Sequence, residues 1–256
     1  MDLKVFEEYN TVLEAGFTRK PDDSVERRSA MAEEAAKKGG LVIKANLVHG
    51  KDVALLDEAA AAAIKEAVLA GKQETLAAGH PVVDLAPGYG AMESVDALIT
   101  ALPGITLTST HGDCVPLWYY DPVHRAIGVA HAGWKGTLLG VAGETVRAMT
   151  AAFGTLPEDL KVYIGPAIGP CHFEVDRDVA DAFTEALPWS SAFIRPCGKK
   201  FYIDLKAVNG RHLALAGVQA PQVGISDHCT YCMEKEYYSY RRSKDTARML
   251  AYITLR

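Results

Sequence analysis

The stretch HGDCVPLWYYDPVHRAIGVAHAGWKG, His111 to Gly136, decides the fold. Within it, CVPLWYY (114–120) and AIGVAHA (126–132) are apolar runs of strand length, and Asp121-Pro122 between them is turn chemistry. The two runs read as an antiparallel hairpin. ITLTST (105–110), just upstream, reads as a third strand. The hairpin also carries chemistry. Cys114 begins its first strand and His131 ends its second, seventeen residues on. Such positions lie opposite each other at one end of an antiparallel ladder, where a thiolate and an imidazole make two ligands of a zinc site. A catalytic zinc takes a third protein ligand and keeps its fourth position for water.

The other histidines compete for the third place. His49 closes a strand predicted over LVIKANLV (41–48), and Gly50 after it permits close backbone approach. His111 stands three residues before Cys114. Geometry ranks these two together. His124 sits in the turn, at the wrong end of the hairpin, and His80 and His172 lie in loops beside Pro and Cys. The small residues of HAGWKG (131–136) suggest backbone crowding a site, or a strand-to-helix turn.

Working outward, a helix is predicted over 25–38, capped by Ser24 and stopped by Gly39-Gly40. A second covers 53–70 and stops at Gly71. HPVVDLAPGYG (80–90) is turn-rich. A third helix runs over 137–153 with Thr137 as a cap. VYIGPAIGP (162–170) is a strand and a rigid loop, and DVADAFTEAL (178–187) a helix. FYIDL (201–205) is a strand whose Asp204 can cap a helix over 205–217. QVGIS and ARMLAYITL are the last strands. Strands and helices alternate irregularly, and hairpins interrupt them. The fold class is therefore α/β (α+β), with mixed β-sheets flanked by helices, not a purely parallel doubly wound sheet. No repeat or linker divides it, so residues 1–256 are assigned to a single domain.

At 256 residues with 49% hydrophobic and 23% charged residues, the chain reads as globular and soluble. A net charge of −5 and a pI near 5.9, without a basic patch, argue against a nucleic-acid partner. MDLKVFEEYN is acidic and lacks the apolar core of a signal peptide, and no uncharged stretch suits a membrane span. The expected setting is cytoplasmic, as a monomer or weak homodimer. Five cysteines, an odd number in a chain of this size, argue for reduced thiols rather than a disulfide framework.

Three further motifs stand out. Cys229-x-x-Cys232 has no second C-x-x-C to complete a Cys₄ site, and reads as packed or hydrogen-bonded thiols in a loop. The rigid loop with Gly165-Pro166 and Gly169-Pro170 delivers Cys171 beside His172. Adjacent residues on extended backbone point to opposite faces, which argues against their pairing as nucleophile and base. Arg241, Arg242 and Lys244 follow a Tyr-rich segment and suit a phosphate or carboxylate, or equally a solvated charge cluster beside core aromatics.

HGDCVPLWYYDP, VAHAGWKGTLLGVAGETV, YIGPAIGPCHFEV, FYIDLKAVNGRHLALAGV and CTYCMEKEYYSYRRSKDTARMLAYI occur in this order. Together they resemble the laccase-domain family of multicopper polyphenol oxidase-like proteins. Members of that family are also described as purine nucleoside phosphorylases and peptidoglycan editing factors. The resemblance covers nearly the whole chain after about residue 41, and DALITALPGITL fits the segment before the cysteine motif. It implies a cysteine-hydrolase-like α/β fold and one metal held by His49, Cys114 and His131. His49 thereby takes the third place, and His111 becomes a pocket residue. There are departures. The segment between His49 and Cys114 is longer than usual, PDDSVE replaces a Gly-rich continuation near the N-terminus, and Lys135 stands where Arg is common.

The resemblance implies a zinc-dependent enzyme acting on purine nucleosides. Deamination of adenosine needs an ionised water at C6 and a proton shuttle, with Asp113 as the catalytic candidate, or as a residue orienting a ligand. No Glu stands to these ligands as in the H-x-E signature of ordinary zinc deaminases. Phosphorolysis of adenosine, inosine or methylthioadenosine needs phosphate as co-substrate, with Arg242, Arg241 and Lys135 to bind it and Trp134 or a Tyr to stack the base. Copper-dependent polyphenol oxidation, with Cu²⁺ in place of Zn²⁺, is the alternative that the family's name supplies. Eight His and no H-x-H motif argue against it. Editing of a peptidoglycan precursor, with Cys114 as nucleophile and His131 as base, is a further alternative.

Overall fold

The computed structural model describes residues 4–20, 25–69, 89–244 and 246–256. Ser24, Gly71, His80 and most of the turn-rich segment 80–90 lie outside them. Two mixed sheets pack face to face. The first has five strands, in the order β1 (Leu13–Phe17), β14 (Met249–Leu255), β6 (Ile105–His111), β2 (Leu41–Asn46) and β4 (Tyr89–Glu93). The second has six, in the order β13 (Val223–Ile225), β9 (Lys161–Ile164), β7 (Val115–Asp121), β8 (Ala126–Ala132), β5 (Ala97–Thr100) and β3 (Val53–Leu55). A small third sheet joins β10 (Glu174–Val175), β12 (Lys200–Ile203) and β11 (Ile194–Cys197).

The predicted hairpin is the centre of the molecule. Every residue of β7 and β8 is buried, because one face of the pair meets the other sheet and the other face meets helices. Trp118, Tyr120, Ile127 and Val129 pack toward Ile43, Leu107 and Ile253 of the five-stranded sheet. Leu117, Tyr119 and Ala130 pack toward α4 (Val141–Phe153) and α6 (Leu205–Leu215), against Val146, Met149, Val208 and Leu213. Each large side chain so buried contributes about 1.5–3 kcal/mol. α1 (Val25–Lys37) covers the outer face of β2 and β4 through Ala32, Val42 and Tyr89. Among the described residues no helix is long and apolar enough to cross a membrane.

Mixed sheets flanked by helices match the expected class, with local corrections. The helix predicted over 53–70 opens as strand β3, and α2 spans only Glu58–Leu69. Asp57 sets its start, its carboxylate accepting the Ala60 N–H at 2.8 Å. The helix predicted over 137–153 is two helices, α3 (Trp134–Leu139) and α4, split at Gly140 with φ 79°. Thr137 is therefore no cap; it is buried inside α3 and its hydroxyl accepts from Asn209 Nδ2 at 2.9 Å. Asp204 does cap α6, accepting the Ala207 N–H at 3.0 Å.

Candidate metal centre

The hairpin register places Pro116 opposite His131 and Val115 opposite Ala132. Cys114 and His131 share the end of the ladder, as expected, but are offset by two residues rather than opposed. Cys114 and Pro116 have the same parity, so the thiol and the imidazole still lie on one face of the sheet. His49 arrives from the other sheet, at a bend after β2, with φ 60°. One donor atom from each of His49, Cys114 and His131 lies within 4.8 Å of the others. The His49 and His131 rings stand edge to face, with centroids 5.0 Å apart.

Gly133 closes over the cluster. A Cβ built there would stand 3.0 Å from His49 Cδ2, 3.3 Å from Cys114 Sγ and 3.6 Å from His131 Cε1. The crowding that HAGWKG suggested is thus backbone lying against all three donors. Two imidazoles and one thiol converging under a bare backbone fit a zinc or copper ion with an open position.

A buried carboxylate organises the cluster, and it was not read from the sequence. Asp96 is fully buried at the head of β5. It accepts the N–H groups of His49 at 3.0 Å, Gly50 at 2.6 Å and Val48 at 3.3 Å, and His131 Nδ1 lies 2.9 Å away. Its own carbonyl accepts the His131 N–H at 2.7 Å. One side chain therefore holds the His49 bend in its left-handed conformation and turns His131 Nε2 toward the cluster. The signal was present in DALIT: an acid at the head of an apolar strand, which burial obliges to find partners.

The electrostatics follow from this packing. Burial pushes the Cys114 thiol up, but the charge on His131 and hydrogen bonds from His131 and His49 bring it down to about 6. Burial pushes His131 down, but Cys114 and Asp96 raise it to about 9. Burial raises the Asp96 carboxyl, and its bonds to His131, Gly50 and Val48 hold it below the ordinary value. The corner favours a thiolate, as a metal ligand requires.

The remaining sequence candidates surround the cluster in different ways. His111 is buried, its ring nitrogens at 2.8 Å from Ser109 Oγ and 3.2 Å from the Cys114 carbonyl, and its ring centroid 5.2 Å from that of His131. Asp113 is buried with φ 92°. Its carboxylate accepts from Thr230 Oγ1 at 2.6 Å, Ser239 Oγ at 3.0 Å and the Arg241 N–H at 2.7 Å. Arg242 donates to the carbonyls of Thr230, Tyr231 and Tyr237 at 2.7–3.0 Å. Arg241 donates to the Glu174 carbonyl at 2.6 Å and lies over the Phe173 ring. Both arginines thus brace loops. Trp134 is half-buried at the start of α3, and the exposed Lys135 places its Nζ 5.6 Å from the Trp134 ring centroid. Cys171 and His172 do meet, Sγ to Nδ1 at 3.2 Å. The expectation that they diverge fails because the backbone there is a turn, not extended.

A two-sheet α/β protein with an open His-His-Cys corner is the class so defined. The chain belongs to the family described as multi-copper polyphenol oxidoreductase laccase, whose model matches residues 4–256. It is 39% identical over 166 residues to a purine nucleoside phosphorylase, YlmD, of Geobacillus stearothermophilus, a match covering 64% of this chain and 61% of that one. The chain thus spans less than two thirds of that relative's length. The crystal structure of YlmD from the same organism superposes with a TM-score of 0.78 and 30% identity, covering 95% of this chain and 92% of that one. That of the Bacillus licheniformis hypothetical protein YfiH gives 0.77 and 28%, covering 98% and 95%.

Proposed function

We propose that this protein is a zinc-dependent purine nucleoside enzyme. It cleaves adenosine, inosine or methylthioadenosine by phosphorolysis and deaminates adenosine. The observation that carries this is the His49–Cys114–His131 cluster, three donors within 4.8 Å of one another, with His131 and the His49 bend held by the buried Asp96 carboxylate. The name of the Geobacillus relative supports the substrate class. Zinc held by His49, Cys114 and His131 would supply Lewis acidity to the reaction.

The chain's own residues supply binding and order. Asp96 holds His131 and the His49 bend in place. Lys135 and Arg241 provide positive charge for phosphate, and Trp134 offers its ring to the base. Asp113 and Arg242 act by holding the segments around Thr230 and Tyr237 against the corner. The test is chromatography of the purified protein with adenosine and with inosine, each with and without phosphate. Phosphate-dependent release of free base and ribose phosphate is the expected result, with some inosine from adenosine. Neither product from a zinc-loaded sample would sink the proposal.

A second reading has its own observation. Cys114, His131 and Asp96 stand in the order of a cysteine hydrolase's nucleophile, base and orienting acid, with the Cys114 and His131 donors within 4.8 Å and His131 Nδ1 2.9 Å from Asp96. It favours amide cleavage in a peptidoglycan precursor. A chelator separates the two: it silences the zinc enzyme and spares the cysteine hydrolase.

A further inference from the structure

We propose that Cys171, His172, Cys229 and Cys232 form a second zinc site, closed and structural, which ties together the two loops beside the first. β9 and β13 are adjacent parallel strands, so the loops that follow them leave the same end of the sheet. Pairing continues past the strands at one bridge, Ala167 with Cys229, where the Thr230 N–H reaches the Ala167 carbonyl at 3.0 Å. This brings the Cys171-His172 turn against Cys229-x-x-Cys232.

Donor atoms from all four residues lie within 4.8 Å of one another. Cys171 Sγ and Cys232 Sγ are 3.7 Å apart, and His172 Nδ1 lies 3.2 Å and 3.3 Å from them. Zn–S bonds of about 2.3 Å at tetrahedral angles put two sulfurs about 3.8 Å apart, whereas a disulfide holds them at about 2.0 Å. The thiols are spaced for an ion between them. The Gly169 N–H donates to Cys229 Sγ at 3.2 Å and holds that sulfur in the cluster. Tyr231 stacks on the His172 ring at 4.0 Å between centroids and fixes its plane.

His172-x-Glu174 with Cys229-x-x-Cys232 repeats the ligand spacing of zinc deaminases. Two facts argue against catalysis here. Cys171 supplies the fourth ligand that a catalytic site leaves to water. The Glu174 carboxylate accepts from Tyr202 Oη at 2.9 Å. A Cys₃His set with no open position is a staple. Arg241 Nη1 is braced on the carbonyls of His172 and Glu174. Arg242 is braced on Thr230 and Tyr231, and Thr230 grips Asp113 beside Cys114. The second ion would fix the frame around the first.

The test is zinc counted by mass spectrometry in protein purified under reducing conditions. Two zinc ions per chain are expected, with one retained in Cys114→Ser and one in Cys171→Ser/Cys232→Ser. Cobalt-loaded Cys114→Ser should show the strong charge-transfer absorption of several thiolates. One zinc in the unaltered protein and none in Cys114→Ser would overturn the proposal. So would a Cys171–Cys232 disulfide in freshly purified protein. The count in Cys114→Ser alters nothing at the second site, so misfolding of the double variant cannot obscure the result.

Discussion

The His49–Cys114–His131 corner draws three donors from strand ends in two different sheets, whereas the Cys171–Cys232 cluster draws four from two loops leaving neighbouring strands. Reach separates them. Assembling the corner requires the whole sandwich to be in place, with a buried Asp96 to hold the His49 bend and Gly133 to admit the donors. The loop cluster requires only a parallel strand pair and one bridge. Donor number separates them again: three donors leave room for a reactant, and four do not. Under the two proposals, the same residue types thus serve turnover in one place and rigidity in the other.

The most direct way to break this comparison is Cys114→Ser. Loss of the corner's thiolate should remove one metal and lower kcat/KM for nucleoside cleavage by about a thousandfold or more, the several kcal/mol that a Lewis acid supplies. Metal analysis beside steady-state kinetics checks it. Full activity in a metal-free Cys114→Ser sample would transfer the chemistry elsewhere.

Asp96→Asn comes next. The amide keeps the volume but turns an N–H₂ toward some of the backbone donors that the carboxylate now accepts. Orienting groups of this kind are worth about 10–100-fold in metal affinity or activity, and a competition titration with a chromogenic chelator would read the loss. Unchanged affinity would mean that β8 alone orients His131. Gly133→Ala sharpens the point further. Gly133 has φ −67°, so alanine fits the backbone and only its methyl intrudes, 3.0 Å from His49. The methyl should weaken the metal about tenfold, and overpacking of about 1–3 kcal/mol should lower the melting temperature by several degrees.

The difference between the two clusters also explains what could be read from the chain. The hairpin carries its own punctuation in Asp121-Pro122, so its strands and the shared end of Cys114 and His131 were legible. The two-residue offset was not, because register depends on where the turn closes. His49 and His111 tied until the family resemblance separated them, since both flank glycine near a strand end. In the structure both ring nitrogens of His111 are engaged by Ser109 and Cys114. The loop cluster was hidden for a different reason. C-x-x-C invited a search for a second C-x-x-C, while its partners were an adjacent Cys-His pair whose turn conformation two Gly-Pro units obscured. Short strands such as β3 and β5 escaped because three or four apolar residues carry no period of their own.

The smallest effect concerns the far end of the hairpin, where the described residues form no donor cluster and the demand is only that the turn hold. Asp121 accepts the N–H groups of Val123 at 2.8 Å and His124 at 3.0 Å, and His124 Nδ1 lies 2.8 Å from its other oxygen. Burial pushes this carboxyl up, but hydrogen bonds, those from His124 and Val123 among them, hold it below its ordinary value. A lowered folded pKa contributes stability above the unfolded value, about 3.9, and that stability is lost as pH falls through the folded one. Asp121→Asn should therefore cost about 1 kcal/mol at neutral pH. It should also flatten the acid limb of the melting curve between pH 4 and the folded pKa, with metal content at the opposite end unchanged. A change in metal content would mean that the turn sets the register on which the corner depends, and would join the two ends of the hairpin into one unit.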